Sequence, residues 1–277
     1  MIGGEKGELV LEEPMATDCL ADRRVLALDG VHNFRDYGGY ATPAGRLKMG
    51  YLFRSAQHVD ATDSDLTAIA ALGLATIVDL RGAGERAAAP CRRPQGFAAR
   101  VFFVDEDTTG LAPHVEAARE APGAEDARRA MARGYAEMPF RPRMIPILAR
   151  YFEALATIPG PSLIHCMAGK DRTGLAVALF HAMMGVHRDD IVADYLLTNV
   201  AGRTEQRIAA GARRIRASYG EALSESAIRV LMMVEPRYIE AAFAAIDERH
   251  GSLDDYLRSE LGVTPRRRDA IAARVLA

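Results

Sequence analysis

Short β-branched and apolar runs that alternate with stretches of helical period predict an α/β protein, with a central, mostly parallel sheet flanked by helices. Two further observations point the same way. Polar residues collect at the C-terminal ends of the apolar runs, where parallel sheets bind ligands: Asp79 and Arg81 close the run Ala75–Arg81, and Asp105, Glu106 and Asp107 follow Val101–Val104. After the helix former run Leu175–Met184 and its stop at Gly185, the chain reads as helical almost to its end.

The elements follow in order. Val25–Leu28 reads as a strand, and the string Asn33–Tyr40 leads through the turn residues Thr42, Pro43, Ala44 and Gly45 into Leu47–Phe53, which suggests a hairpin ended by Arg54 and Ser55. Thr62 caps a helix carrying Leu66, Ile69 and Leu72, with Gly73 as its stop. Residues 108–140, rich in Ala, Glu, Arg and Pro, read as an irregular or partly helical excursion. Helix returns at Pro142–Ala156, and Pro161–His165 forms a short apolar strand after the turn Pro159-Gly160. Helices are then expected at Asp189–Asn199, Thr204–Ser218, Ser224–Val234 and Pro236–Arg249. Ser252 with Asp255 resembles a capping box, and Thr264 before Pro265 opens a terminal helix. The expected organisation is an N-terminal extension, 1–23, and one domain, 24–277, that includes a helical insertion at about 187–235.

Composition narrows the function. A net charge of −2 gives no overall pull toward nucleic acid or a membrane surface, and no window reaches the roughly 18 apolar residues a span requires. Residues 1–18 carry Glu5, Glu8, Glu12 and Glu13 and lack a basic region followed by an apolar run, so no Sec signal is read. Three cysteines, Cys19, Cys91 and Cys166, make no disulfide framework and point to a reducing compartment. Cytoplasmic residence is expected, with export lacking a cleavable signal left open.

The chemistry concentrates in the decapeptide His165–Gly174, which runs HCMAGKDRTG between a strand and a helix. Backbone N–H groups at such a junction lack partners, and the helix adds roughly half a positive charge, so an anion settles there. The same surroundings favour a thiolate, making Cys166 a nucleophile. Arg172 supplies a planar fork for two phosphoryl oxygens. The backbone of Met167, Ala168, Gly169 and Lys170 is expected to bind substrate, with the Thr173 hydroxyl placed to donate to the sulfur. His165 is expected to orient the loop and tune the thiolate by hydrogen bonding. A nucleotide-binding loop fits poorly, because Ile164 stands where Gly would be required and Asp171 follows Lys170 in place of Ser or Thr. No metal is read, since no Cys-x-x-Cys pair exists, and no cofactor is called for.

Together the string Asn33–Tyr40, the segment Leu52–Ser55, the segment Val78–Arg81, the decapeptide and the tail Gly251–Leu257 with Glu260-Leu261-Gly262 resemble the atypical bacterial Cys-dependent tyrosine and lipid phosphatases of the mycobacterial and Listeria type. The resemblance spans roughly residues 25–275. It implies a phosphatase fold with a helical lid, acting on phosphotyrosine, in some members on phosphoserine or phosphothreonine, and in several on phosphoinositides. A phosphorylated protein or a phosphoinositide is then the expected partner.

Ordinary tyrosine phosphatases draw their general acid from a Trp-Pro-Asp loop, and this chain has no Trp. Asp171 lies beside the place where a phosphate dianion and a thiolate would raise its pKa, and the resemblance indicates the same residue; Asp105, Asp107, Asp79 and water stay open as alternatives. Lys170 adds a cation that would favour substrates with additional phosphates. Asp36, Arg54 and Asp79 are read as braces of the loop. Arg203, Arg207, Arg213, Arg214 and Arg216, beside the apolar stripe Ile208, Ala212 and Ile215, form either a solvated basic face or part of a movable lid. Two other functions are kept: a phospho-binding module with an inactive loop, and sulfur transfer or arsenate reduction through Cys166.

Overall fold

In the computed structural model, residues 24–105, 114, 116–117, 123–201, 205–210 and 223–277 are described. Strands β1 (Arg35–Asp36), β4 (Leu52–Ser55), β5 (Thr76–Asp79), β6 (Arg100–Phe102) and β7 (Ser162–His165) form one sheet in the order β1-β4-β7-β5-β6, while β2 (Ala41–Thr42) and β3 (Gly45–Arg46) make a separate hairpin. The β4-β7-β5-β6 part is parallel, and β1 joins β4 antiparallel.

The pleat divides the core. Phe53, Leu163 and Ile77 lie in register across three strands and face a cluster with Phe34, Leu66 and Ile69. Their neighbours Leu52, Ile164 and Val78 face the larger cluster, which runs from Tyr37 to Val275. The next row, Ser55-His165-Asp79, is polar and ends the strands together. Beyond it Cys166 falls on the side of the larger cluster. The strand carrying the nucleophile candidate is therefore central, with a neighbour hydrogen-bonded on either edge.

Register in β7 is fixed at its start. Gly160 has a φ of +114°, a Cβ there would lie 2.7 Å from the Ala75 side chain, and its N–H donates to the Tyr51 hydroxyl at 2.8 Å.

Helices cover both faces: α1 (Asp63–Ala71), α2 (Ala83–Ala88), α3 (Ala124–Glu137), α4 (Met144–Thr157), α5 (Asp171–Met184), α6 (Arg188–Leu196), α7 (Glu225–Met232), α8 (Pro236–His250), α9 (Leu253–Ser259) and α10 (Pro265–Val275). Thr62 caps α1 in a reciprocal box with Asp65, and Ser224, Ser252 and Thr264 cap α7, α9 and α10, each cap contributing about 1 kcal/mol. Helix α5 is buried along nearly its whole length and stops at Gly185 in the left-handed region. The C-terminus is tied back to the first hairpin by a Leu47–Leu276 bridge and the Ala277 N–H on the Arg46 carbonyl at 2.9 Å.

Some expected elements differ. Val25–Leu28 is reduced to one antiparallel bridge, Val25 with Arg35, because the Asp65 carboxylate takes the N–H groups of Asp29 and Gly30 at 2.7 Å each and turns the chain. Leu47–Phe53 is broken at Gly50, whose φ is +72° and whose N–H donates to Asp36. The excursion at 108–140 is partly helical, as expected: it carries α3, whose Ala127, Ala130, Met131, Gly134 and Tyr135 form one buried stripe packed against α7 and α8. Helix α5 begins at Asp171, four residues before the apolar run suggested. Of the expected helix Thr204–Ser218, residues 205–210 are helical and the rest lie outside the described residues, as does the extension 1–23. No helix among the described residues is long and apolar enough to cross a membrane.

Candidate active site

The loop Cys166–Lys170 connects central strand β7 to α5. Its carbonyls are held from behind. Asn33 Nδ2 and Arg54 Nη2 donate to the Gly169 carbonyl at 2.7 and 3.1 Å, and the Gln57 N–H donates to that of Met167 at 3.1 Å. Gly169 has a φ of +62°, and a Cβ there would stand 2.3 Å from the Ser55 carbonyl oxygen, so only glycine permits this curl against β4. Among the described residues, none of the backbone N–H groups from Met167 to Asp171 has a protein acceptor. Those donors and the N-terminus of α5 make an anion site.

Cys166 is 3% exposed. Arg172, in the first turn of α5, grips Glu85 with both terminal nitrogens, Nη1 to Oε2 at 2.5 Å and Nη2 to Oε1 at 2.8 Å, and Nη1 also donates to the Leu80 carbonyl at 3.1 Å. Burial would lower the Arg172 pKa, but the Glu85 hydrogen bonds and charge raise it overall. A guanidinium carries five N–H donors. Three are engaged here, leaving Nε–H and the second Nη2–H, adjacent in one plane, for a bidentate anion. Glu85 was not foreseen. Its signal is a carboxylate three residues after Gly82 at a helix start, and it does accept the Gly82 N–H at 2.9 Å.

Asp171 is more enclosed than the sequence suggests. Tyr135 OH donates to Oδ1 at 2.9 Å, Lys170 Nζ lies 3.3 Å from the same oxygen, and His114 Nδ1 lies 3.1 Å from Oδ2. Burial pushes its pKa up, but Lys170, His114 and Tyr135 outweigh that and hold it well below the usual carboxylate range. The expected raised value does not hold for the free protein. Tyr135, buried, and His114, partly buried, lie in the 108–140 region and carried no sequence pattern that would reveal them.

Lys170 is 2% exposed and does not reach out over the loop. Its ammonium donates to the carbonyls of Leu231 at 2.6 Å and Met233 at 3.3 Å, which ties the loop to the end of α7. Thr173 Oγ1 is buried without a hydrogen-bond partner among the described residues, so the expected donation to sulfur is not formed.

His165 points to the opposite face of the sheet from Cys166. Its ring stacks on His58 at 5.3 Å, Nε2 is 3.7 Å from Asp79 Oδ2, and its contact with the cysteine is Nδ1 to the Cys166 carbonyl at 3.4 Å. The expected bond to the thiolate is replaced by this backbone contact. Burial lowers the His165 pKa to about 4. Asp79 in turn holds Arg81 through both oxygens, and Arg81 Nη2 donates to Cys91 Sγ at 3.1 Å. Asp79 does not touch the loop; it faces the His165 ring, whose Nε2 makes no hydrogen bond among the described residues.

Arg54 contacts the loop directly, and Asp194 of α6 fixes it, Nη1 to Oδ2 at 2.8 Å. Asp36 does not touch the loop; its carboxylate takes the N–H of Gly38 at 2.6 Å and that of Gly50, bracing the hairpin instead. Asp105 is exposed beside Arg86 at 3.5 Å, and Asp107 lies outside the described residues. Of the basic run at 203–216, Arg207 is described: half-buried, within electrostatic reach of Lys170 and Asp171, its Nη1 without a partner among the described residues. Arg203, Arg213, Arg214 and Arg216 lie outside.

A buried cysteine and an arginine meeting at an anion-binding strand-to-helix loop, on a mostly parallel sheet, define a thiol-dependent phosphatase class. The sequence profile of the tyrosine phosphatase family matches residues 26–277, and the chain belongs to that family. It is 34% identical over 264 residues, 92% of this chain and 90% of the relative, to a provisionally named tyrosine-protein phosphatase of Cupriavidus necator. It is 32% identical over 262 residues, 84% of this chain and 93% of the relative, to the triple specificity protein phosphatase PtpB of Mycobacterium tuberculosis. A tyrosine-protein phosphatase of Nostoc commune is 27% identical over 213 residues, 73% of this chain and 66% of the relative.

Proposed function

We propose that the chain hydrolyses phosphomonoesters through a cysteinyl-phosphate intermediate, with phosphotyrosine as the main substrate and phosphoserine and phosphothreonine as further ones. Cys166 attacks phosphorus, the ester oxygen leaves, and water then releases phosphate. The loop N–H groups and the open fork of Arg172 hold the equatorial oxygens in both steps. Asp171 belongs to the proton-transfer apparatus. The observation that carries this reading is the half-engaged Arg172, anchored by Glu85 and Leu80 yet keeping two coplanar donors beside the loop. A relative named for triple specificity supports a range wider than phosphotyrosine.

The test is turnover of p-nitrophenyl phosphate by the wild type and by Cys166→Ser. Loss of turnover with retained substrate binding is expected; turnover surviving in the variant would refute the mechanism. An inactive binding module predicts no turnover by either protein.

Phosphoinositides are a second substrate class, favoured by Lys170 beside the loop. To meet a further phosphate its ammonium must leave the Leu231 and Met233 carbonyls. Lys170→Ala should then reduce phosphoinositide turnover more than phosphotyrosine turnover, and equal losses would remove this class.

A further inference from the structure

We propose that Cys91 is a modification site: a second reactive thiol, on the His165 face of the sheet, that takes one oxygen from a hydroperoxide and holds it as a sulfenic acid. Two donors already point at its sulfur. Arg81 Nη2 reaches Sγ at 3.1 Å, and the His58 N–H reaches it at 3.3 Å. Arg93 stands within electrostatic reach of the same sulfur, and its Nη1 is buried without a partner among the described residues. A sulfur that accepts from a guanidinium in cationic surroundings is disposed to attack an electrophile.

An open acceptor beside that sulfur gives the second argument. Cys91 Sγ, a ring nitrogen of His165 and a carboxylate oxygen of Asp79 lie within 4.8 Å of one another. His165 is 0% exposed, its Nδ1 faces the Cys166 carbonyl at 3.4 Å, and its Nε2 has no hydrogen-bond partner among the described residues. Burial lowers its pKa to about 4, so at neutral pH the ring is uncharged. With the Nδ1 hydrogen on the carbonyl, Nε2 is a bare lone pair that lacks a donor. An oxygen added to Sγ supplies that donor, its O–H meeting Nε2 while Arg81 stays on the sulfur.

The same three atoms have a spacing that would suit metal ligands, yet the charges favour the oxygen. Arg81 already holds both Asp79 oxygens, and Arg81 and Arg93 border the sulfur, so a cation would enter against two guanidiniums. Access agrees with this. Cys91 is partly exposed and Cys166 is 3% exposed, so of these two a small oxidant meets Cys91 first.

In the step itself a sulfur electron pair forms the S–O bond, the O–O bond of the hydroperoxide breaks, and the departing oxygen keeps that bond's pair and takes the thiol proton. Sulfur is oxidised by two electrons and the peroxide reduced by two; a dithiol reverses the change, releasing water. The modification is felt at the phosphate loop, a consequence that rests on the phosphatase reading above. Arg81 Nη1 donates to Gln57 Oε1 at 3.1 Å, the Gln57 N–H holds the Met167 carbonyl at 3.1 Å, and His165 touches that of Cys166. Redirecting Arg81 and His165 toward the new oxygen loosens both supports and lowers turnover.

The experiment exposes the full chain to hydrogen peroxide near neutral pH, with inorganic phosphate shielding Cys166, and traps sulfenic acid with dimedone for peptide mass spectrometry. Cys91 should be labelled on the order of 10-fold faster in the folded protein than in urea. Labelling no faster when folded would overturn the site, because an ordinary exposed thiol needs no surroundings. Turnover of p-nitrophenyl phosphate, measured after peroxide and phosphate are removed, should fall several-fold in wild type, recover with dithiothreitol, and hold steady in Cys91→Ser. Equal losses in the two proteins, or labelled wild type with full turnover, would overturn the coupling to the loop. If untreated wild type is no faster than Cys166→Ser, the phosphatase reading itself fails, while the labelling result still decides the site.

Discussion

Two arginine–carboxylate pairs flank the loop and use the same chemistry for opposite purposes. Arg54 and Asp194, with side chains 0% and 1% exposed, are sealed, and Arg35 adds a donor to the Asp194 carbonyl at 2.9 Å. Arg172 and Glu85, at 7% and 22%, are partly open. The sealed pair has no room for a ligand; Arg54 Nη2 donates to the Gly169 carbonyl and so shapes the loop. The open pair orients a guanidinium whose other donors are available. Enclosure, more than residue type, separates the pair that shapes the loop from the one whose open donors the proposed mechanism uses.

The most severe way to break this contrast is Asp194→Ala, which leaves Arg35 and Arg54 buried without their counter-charge. Stability should fall by about 3–5 kcal/mol in urea unfolding. A loss under about 1 kcal/mol, the range of an exposed pair, would mean that enclosure adds nothing here. Arg172→Lys should do the reverse. Turnover should drop on the order of 10²–10³-fold, because an ammonium cannot hold Glu85 and two phosphoryl oxygens in one plane, while the urea midpoint barely moves. A comparable fall in stability would erase the distinction between the pairs.

Acid offers a milder probe of the sealed side. His165 and His181 are both lowered to about 4, chiefly by burial, and His181 lies within electrostatic reach of Asp194. Their folded-state pKa values lie below the unfolded one, so the unfolded chain binds more protons. The stability they carry is fully present above about pH 6.5 and is lost as pH falls toward 4, to a limit of roughly 3 kcal/mol each. Unfolding free energy measured from pH 7 to 4 should decline through that window, with a shallower decline in His181→Gln. An identical slope in the variant would show that this side chain does not titrate there.

How much of this was legible in advance follows the distance over which each interaction acts. The decapeptide is local: a strand, a glycine curl and a helix start leave their marks within ten residues, and Cys166 and Arg172 stand at the two ends of one loop. Pleat alternation was also readable, since Ile77/Val78 and Leu163/Ile164 divide between two cores by period alone. The groups that tune the loop arrive from elsewhere. Glu85 comes from a different strand-to-helix junction, Asp194 from α6, and Tyr135 and His114 from a stretch whose composition looked generic. Long-range polar contacts have no periodicity, which is why nothing in the sequence showed that the Asp36 carboxylate holds the hairpin or that the Lys170 ammonium rests on the end of α7. The His165 bond failed for a more elementary reason: consecutive residues at a strand end face opposite ways.

That alternation bears on how the protein tolerates change in length. Five residues, Pro161–His165, separate Gly160 from Cys166, and Gly160 is immobilised by Tyr51 and by the Ala75 side chain. Inserting or deleting one residue between those anchors would carry the sulfur through the sheet to the His58 face and bring a histidine to the substrate side. The spacer between Gly160 and Cys166 should therefore accept substitutions far better than any change in its length.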